Sequence, residues 1–289
     1  MSTAPAERAA GLRTMYDNLA RYQWLQRRLR RCAPGEGLEM HKSLVAAAGG
    51  DGPAAGTAGL HAWIWGRFEA PARPRVLDVG CGFGASLLTW ARVHAGEFVG
   101  LTLSEVQVAR ARAQALALGV ADRCTFRVQA YDQPIDGRFE RVVAVEALCH
   151  SDALGAALAC IAGSTAAGGR LVAVEDVAVD DGVARDPDGC ELRARWSTPH
   201  LYSEAAWRKA LDGAGFDLRA VHDLTPQVRP RPDAVLARAT RSLRWLRAAL
   251  PTRGSRAVAD AFLGGVALER LYQKGAMRYL AFEAERRTS

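Results

Sequence analysis

A doubly wound α/β sheet is the fold class this sequence predicts, and three observations point to it. Residues 76–79 (VLDV) form a short hydrophobic run of strand type that breaks directly into glycines at 80–84 (GCGFG). A helix pattern begins at once, from Ala85 to Ala95. Strands then alternate with helices of about 10–15 residues as far as position 177, the mark of a parallel sheet. Strand, glycine turn and helix in that order set a small ligand at the carboxyl end of the sheet. Gly80, Gly82 and Gly84 let the backbone turn there and let a ligand lie against it. The third glycine of a GxGxxG fingerprint and the GK[ST] of a phosphate loop are both missing.

The elements follow in order. Residues 12–31 place Leu12, Met15, Tyr16, Leu19, Tyr22 and Leu29 at helical spacing, with arginines in the last turn where they suit the helix dipole. The stretch 35–59 is irregular and rich in Gly and Ala; a short helix covers 60–69, and Pro71 and Pro74 stop it. Strand 75–79 leads to helix 85–95, strand 97–102 to helix 105–118, strand 124–128 to a loop, and strand 139–145 to helix 152–164. AAGGR then turns into strand 170–177. Residues 180–189 are acidic and turn-rich. A helix over 203–214 with Ser203 as N-cap precedes a strand near 216–223. An Arg-rich helical segment fills 224–275, and a last strand runs from Met277 to Glu285. No internal repeat is present.

A chain of 289 residues, 49% apolar and 24% charged, buries a full core of ordinary globular composition. It carries no signal-peptide apolar core and no run of about 18 apolar residues, so no membrane span is expected. The six cysteines are scattered without a CxxC pair; neither a metal site nor a disulfide framework is indicated, and a reducing cytoplasm is the expected setting. The net charge of +7 comes almost entirely from arginine, clustered at Arg27, Arg28, Arg30 and Arg31 and again over Arg229–Arg256. Nucleic acid, a phosphorylated small substrate and plain solvated helix faces are three readings of that charge.

The order of these elements, with the motif VLDVGCGFG at its head, resembles the Rossmann-like (class I) S-adenosylmethionine-dependent methyltransferases over roughly residues 74–220, with a weaker return near 276–286. The resemblance implies a seven-stranded, mostly parallel sheet in the order 3-2-1-4-5-7-6, the last strand antiparallel. It implies a helical N-terminal cap (1–70), a cofactor-binding core (71–223), a helical insertion acting as a substrate lid (224–275) and a final core strand (276–289). GLTLSEVQ (100–107) and EALCHSD (146–152) narrow it to the group of sterol, tocopherol-pathway and prenyl-diphosphate methyltransferases and cyclopropane synthases.

Carried over residue by residue, the resemblance puts Asp78, Gly80, Cys81 and Gly82 around the amino-acid end of S-adenosylmethionine. Asp78 also suits a simpler role, capping the N–H groups of the glycine loop. Most relatives grip the ribose with an acid at the end of the second strand. Here that position is Thr102, and Ser104 and Gln107 are the expected hydroxyl and amide substitutes. The same S-x-x-Q spacing is a capping box, which competes for both residues. Gln129 and the N–H of Ala130 would read the adenine edge.

The end of the fourth strand supplies the chemistry. Glu146 and His150 lie four apart, so a helical turn would put them on one face, with Glu175 and Asp176 behind as further bases. Glu146 supplies negative charge or basicity, or forms an ion pair with an arginine; His150 acts as base or orients Glu146. Tyr16, Trp24, Trp196, Tyr202, Trp245 and Tyr272 are candidate pocket walls, and His41 and Lys42 a loop folding over the cofactor. The leading expectation is C-methylation of an isoprenoid or other alkene, such as a prenyl diphosphate, through a carbocation held by carboxylates and aromatic faces. Arginines would then clamp the phosphates and Mg2+ would arrive with them. The alternative is O- or N-methylation of a small secondary metabolite; a third is an RNA-associated S-adenosylmethionine-binding protein, for which no aromatic and basic RNA module is visible. A small-molecule substrate is the expected partner, no metal is held by the protein itself, and a homodimer is an allowed assembly.

Overall fold

The computed structural model describes residues 5–46, 52–68 and 71–288. Parts of two expected elements, the middle of the Gly/Ala-rich stretch and the end of the helix at 60–69, lie outside them. The described elements are α1 (Pro5–Leu29), α2 (Gly56–Gly66), β1 (Arg75–Val79), α3 (Ala85–Val93), β2 (Glu97–Thr102), α4 (Glu105–Ala117), β3 (Cys124–Val128) and β4 (Phe139–Val145). They continue with α5 (Leu154–Ser164), β5 (Thr165–Ala178), α6 (Pro187–Trp196), α7 (Glu204–Gly213), β6 (Phe216–Asp223), α8 (Asp233–Ala249), α9 (Arg253–Gln273) and β7 (Met277–Arg286).

The strands form one seven-stranded sheet in the order β3-β2-β1-β4-β5-β7-β6. β1 to β5 pair in parallel, and β7 enters antiparallel between β5 and β6. Alternate side chains on each strand leave for opposite faces. Val76, Phe98, Phe126 and Val172 pack under α2, α3, α4 and α9. Leu77, Leu101, Val142 and Leu171 pack under α5 and α7. Both faces are covered, which is why these strands read as near-continuous apolar runs. Full burial of a side chain such as Phe126 or Leu171 contributes about 1.5–3 kcal/mol each.

The N-terminal helix α1 lays Leu12, Met15 and Leu19 against Ala261 of α9, so the cap and the late insertion meet over the carboxyl ends of the strands. Helix α8 packs outside α9, tied by Arg270 to Thr240 at 2.8 Å and by Arg247 to Asp260 at 2.5 Å.

Three local expectations change. β5 begins at Thr165, because AAGG is taken into the strand across a register shift opposite Phe139–Arg141 rather than forming a turn. The acidic stretch leads into a full helix, α6, whose start is fixed by Asp186 accepting from the Asp188 N–H and by Pro187 in the first turn. Ser203 occupies the cap position of α7, but its hydroxyl makes no capping bond; its backbone carbonyl instead takes the Trp207 N–H.

Candidate active site

The turn after β1 is built by close approach. Gly80 has φ 78°, and a Cβ there would lie 2.5 Å from the Cβ of Ala147. Gly84 has φ 76°, and its Cβ would lie 2.4 Å from the ring of Phe126. Only glycine meets both demands, left-handed backbone and no side chain. Asp78 sits at the base of this turn, 4% exposed. Burial pushes its carboxyl up to about 7, partly offset by a hydrogen bond from Ser86.

A cavity opens above the turn. Asp78, Gly80, Cys81 and Gly82 line one side; Thr102, Gln107 and Gln129 line the other. Ala130 lies between two lining residues, Gln129 and Tyr131. Gln129 donates its Nε2 to the carbonyl of Pro134 at 2.9 Å, which leaves its amide oxygen to accept from a ligand. Ser104 departs from expectation. It is fully buried; its Oγ accepts the Gln107 N–H at 3.1 Å and donates to Asp17, so the capping role consumes it and it does not reach the cavity. Gln107 does not complete the box. Its Oε1 accepts from Thr102 Oγ1 at 2.5 Å and its Nε2 points to Met40 Sδ at 3.0 Å.

The segment 38–43, between α1 and α2, crosses the mouth of this cavity. Leu38, Met40 and His41 line it, and Met40 to Ser43 also line a second chamber. Lys42 anchors the strap. Its Nζ lies 3.1 Å from Glu146 Oε1 and 2.7 Å from Asp176 Oδ2, and its backbone N–H donates to Glu146 Oε1 at 3.0 Å. The ammonium also sits 4.8 Å above the ring of Tyr279 and 5.9 Å from that of Tyr272. Tyr279 donates to Glu146 at 3.0 Å, and Tyr272 donates to Asp176. Burial works against the Lys42 charge, but Asp176 and Glu146 hold its pKa well above the ordinary lysine value. Burial also raises the Glu146 carboxyl, yet Lys42 and His41 together hold it below the usual carboxylate range. Asp176 stays raised, because burial and the neighbouring Glu146 charge outweigh the shared lysine. The ion pair of Glu146 is therefore with a lysine, and the carboxylate is not a free base.

His150 and Glu146 do not share a helical face. Glu146 adopts φ 51°, a strained conformation for a residue with a side chain, and the turn of 3-10 helix at 148–150 turns His150 elsewhere. His150 Nδ1 lies 3.2 Å from the carbonyl oxygen of Ser197. A carbonyl only accepts, so Nδ1 carries the proton and Nε2 keeps its lone pair. That lone pair receives the hydroxyl of Tyr16 at 2.6 Å. Burial lowers the ring's pKa to about 4, so it is neutral near pH 7. His150 thus has no hydrogen bond to Glu146 and does not orient it.

Glu175 holds the turn that carries both residues. Its Oε1 accepts the N–H groups of Ala147 at 2.9 Å and Leu148 at 2.7 Å. It is 1% exposed, and burial pushes its carboxyl up to about 8. At neutral pH it is a protonated acid rather than a ready base.

The two cavities share Met40, His41, Glu146 and Trp196 as their dividing wall. Tyr16 walls the first; Tyr202 and Tyr272 wall the second. Trp24 instead packs on Phe83 beneath Arg27 and Arg110, and Trp245 is 81% exposed on α8. The arginine clusters do not converge on a ligand. Arg27 is buried beside Trp24, and Arg238, Arg241 and Arg244 lie exposed on α8; only Arg229 borders the second chamber. Lys42 Nζ already fills the space between Glu146 and Asp176. Among the described residues no three His, Cys, Asp or Glu side chains are grouped to hold a metal ion.

Residues 67–171 match the family model described as Mycolic acid cyclopropane synthetase. Over nearly its whole length the chain superposes on two solved structures. One is the [4+2]-cyclase SpnF, with a TM-score of 0.70 at 23% identity, covering 96% of this chain and 95% of that one. The other is geranyl diphosphate C-methyltransferase from Streptomyces coelicolor A3(2), solved with Mg2+, geranyl diphosphate and S-adenosyl-L-homocysteine; the TM-score is 0.67 at 17% identity, with 98% of both chains covered. The chain has the fold of the class I S-adenosylmethionine-dependent methyltransferases. Among curated proteins, this methyltransferase-fold chain is 31% identical over 180 residues to Methyltransferase GfsG of Streptomyces halstedii, covering 60% of this chain and 63% of that one. Several further relatives are O-methyltransferases. The chain spans just under two thirds of the length of the first of these relatives. Among the described residues no helix is long and apolar enough to cross a membrane.

Proposed function

We propose that the protein transfers a methyl group from S-adenosylmethionine to a hydroxyl oxygen of a small, largely apolar acceptor, with His150 as general base. The observation that carries this reading is the hydrogen bond between Tyr16 and His150: a neutral imidazole, fixed in one tautomer by Ser197, accepts from a phenolic hydroxyl beside the cofactor cavity.

The cavity fits the cofactor. The buried carboxyl of Asp78 suits the positive methionyl end, and the glycine turn admits close approach of backbone to ligand. Thr102 and Gln107, which line the cavity, would hold the ribose, and the free Gln129 amide oxygen with the Ala130 N–H would read the adenine edge. When bound, the cofactor supplies an electrophilic methyl on a cationic sulfur. The protein's own part is to hold the acceptor oxygen in line at about 3–3.5 Å and, with that oxygen displacing the Tyr16 hydroxyl, to take its proton at His150 Nε2. The C–O bond forms as the C–S bond breaks, and the bond's electron pair stays on sulfur.

Segment 224–275 serves as the acceptor lid in this reading, since Val228, Phe262, Leu268 and Tyr272 wall the second chamber. C-methylation of an alkene is the second reading, favoured by the carboxylates and tyrosine faces around Glu146 and by the likeness to a C-methyltransferase. Against it, Lys42 already occupies the place where those groups would steady a carbocation.

The test is incubation with methyl-labelled S-adenosylmethionine and a panel of phenols, alcohols, amines and alkenes. Label that enters an oxygen acceptor and is released by ether cleavage is the expected outcome. Label retained on carbon selects the second reading; label on nitrogen, or none, rejects both.

A further inference from the structure

Helix α1 changes character along its length. In its first half the apolar residues Leu12, Met15 and Leu19 pack against Ala261 of α9. In its second half Tyr22, Leu25 and Leu29 recur at i, i+3 and i+7, so they share one side of the helix. That side is open: Leu25 is 54% and Leu29 69% exposed. Tyr22, also exposed, meets the exposed ring of Phe262 on α9 edge to face, with ring centroids 5.6 Å apart. Phe262 is itself part of the wall of the second chamber. The apolar surface therefore runs from Leu29 along α1 to the mouth of that chamber.

Charge restricts what can cover it. Between Asp17 and Glu36 the chain carries Arg21, Arg27, Arg28, Arg30 and Arg31 and no acid. Arg27 turns inward onto Trp24; the other four are exposed. Arg21 and Arg28 stand four before and three after Leu25, so they flank the stripe. The acids beside the patch are already engaged: Asp17 accepts from Ser104, and Asp260 pairs with Arg195 and Arg247. A second copy of this face would set arginine against arginine. We propose that the exposed side of α1 docks on the surface of an anionic lipid bilayer. Tyr22, Leu25 and Leu29 enter the headgroup boundary, the arginines hold lipid phosphates, and the mouth of the second chamber turns towards the lipid. An apolar acceptor concentrates in such a surface, so the chamber takes it from there rather than from water. That last step rests on the proposed methyl transfer; the docking itself does not.

Cosedimentation of the full chain with vesicles tests the docking without requiring turnover. Vesicles of phosphatidylcholine are compared with vesicles of phosphatidylcholine mixed with phosphatidylglycerol. The mixed vesicles are expected to bind the protein at least about tenfold more strongly, and less so as salt rises. The double variants Leu25→Asp/Leu29→Asp and Arg21→Glu/Arg28→Glu alter exposed side chains only. Each should lower the vesicle partition coefficient at least about tenfold while leaving S-adenosylhomocysteine affinity unchanged. Arg73→Glu/Arg92→Glu makes the same charge change at the amino end of the sheet and should leave binding within about twofold. Equal binding to the two vesicle types, binding to neither, a loss in this control as large as in the α1 variants, or binding that survives Leu25→Asp/Leu29→Asp overturns the proposal. So does a dimer in solution that only the leucine variant dissolves, which gives the face to a second copy. Single-stranded RNA bound more tightly than the mixed vesicles, and lost in the same variants, overturns it in favour of nucleic acid. Failure of the methyl-transfer reading shows separately, as absence of labelled product while vesicle binding stands.

Discussion

Removal of the Lys42 side-chain charge should cost the protein about 3 kcal/mol at neutral pH and should do so in a pH-dependent way. Lys42 Nζ lies within 3.1 Å of Glu146 and 2.7 Å of Asp176. In Lys42→Met the two carboxyls stay buried together without their counter-charge. Breaking a buried pair in this manner costs roughly 3–5 kcal/mol, and the side chains are 16–19% exposed, which favours the lower end. For a chain of this length that is a fall of about 5–10 °C in melting temperature. The sign of the pH effect follows from linkage. In the native protein Glu146 is held below its ordinary value, so its contribution is present above an unfolded carboxyl pKa of about 4.3 and fades as pH falls through the folded value. In the variant the ammonium is gone, and burial and mutual repulsion are opposed only by His41 and by the hydrogen bonds from Tyr279, Tyr272 and the residue-42 N–H, so both carboxyls are expected to be raised and the folded state to bind more protons than the unfolded state. Its stability then rises as pH falls from 7.5 towards 5, and the gap to the native protein closes. Thermal denaturation of both proteins at pH 7.5 and 5.5 reads this directly. A deficit below about 1 kcal/mol, or one that does not shrink at pH 5.5, refutes the reasoning.

Other expected outcomes concern the cofactor end and the base. Asp78, raised to about 7 by burial, should bind the cationic cofactor less well as pH falls through 7, whereas Asp78→Asn should bind it weakly and without that slope; calorimetry from pH 6 to 8 distinguishes them. His150→Gln should leave cofactor affinity within about threefold while lowering kcat by about a hundredfold or more, as loss of a general base does. His150 and His61 are both held neutral by burial, at about 4 and about 3, so their unfolded forms bind protons first. Stability should fall as pH drops below about 6.5, and His61→Gln should remove part of that loss in acid denaturation. Gly80→Ala forces a Cβ to 2.5 Å from Ala147 at a φ of 78°, and should abolish cofactor binding before it unfolds the chain, read by calorimetry beside circular dichroism.

The sheet was legible because its strands are buried on both faces and interrupted by turn residues. β1 and its glycine turn show this best, and Asp78, Gly80, Cys81, Gly82, Thr102, Gln107 and Gln129 line the cavity above that turn. Ser104 misled because one spacing, S-x-x-Q, serves both a helix cap and a ligand contact, and the cap took the hydroxyl. Helix α6 was missed although Asp186 and Pro187 announce its start, because its polar composition carries little apolar periodicity. The acidic cluster was beyond reach for another reason. Lys42 meets Glu146 across 104 residues and Asp176 across 134, so no local spacing records the pairing. Glu146 was expected to supply negative charge or basicity, or to pair with an arginine; its partner is Lys42, which makes it an anchor.

The most direct measurement is titration of the purified chain with S-adenosylhomocysteine, the neutral product of methyl transfer, followed by calorimetry. One site per chain with micromolar affinity, lost in Gly80→Ala, is the expected result. Absence of binding, or binding unaffected by closing the glycine turn, would mean that the cavity over β1 does not hold a methyl donor.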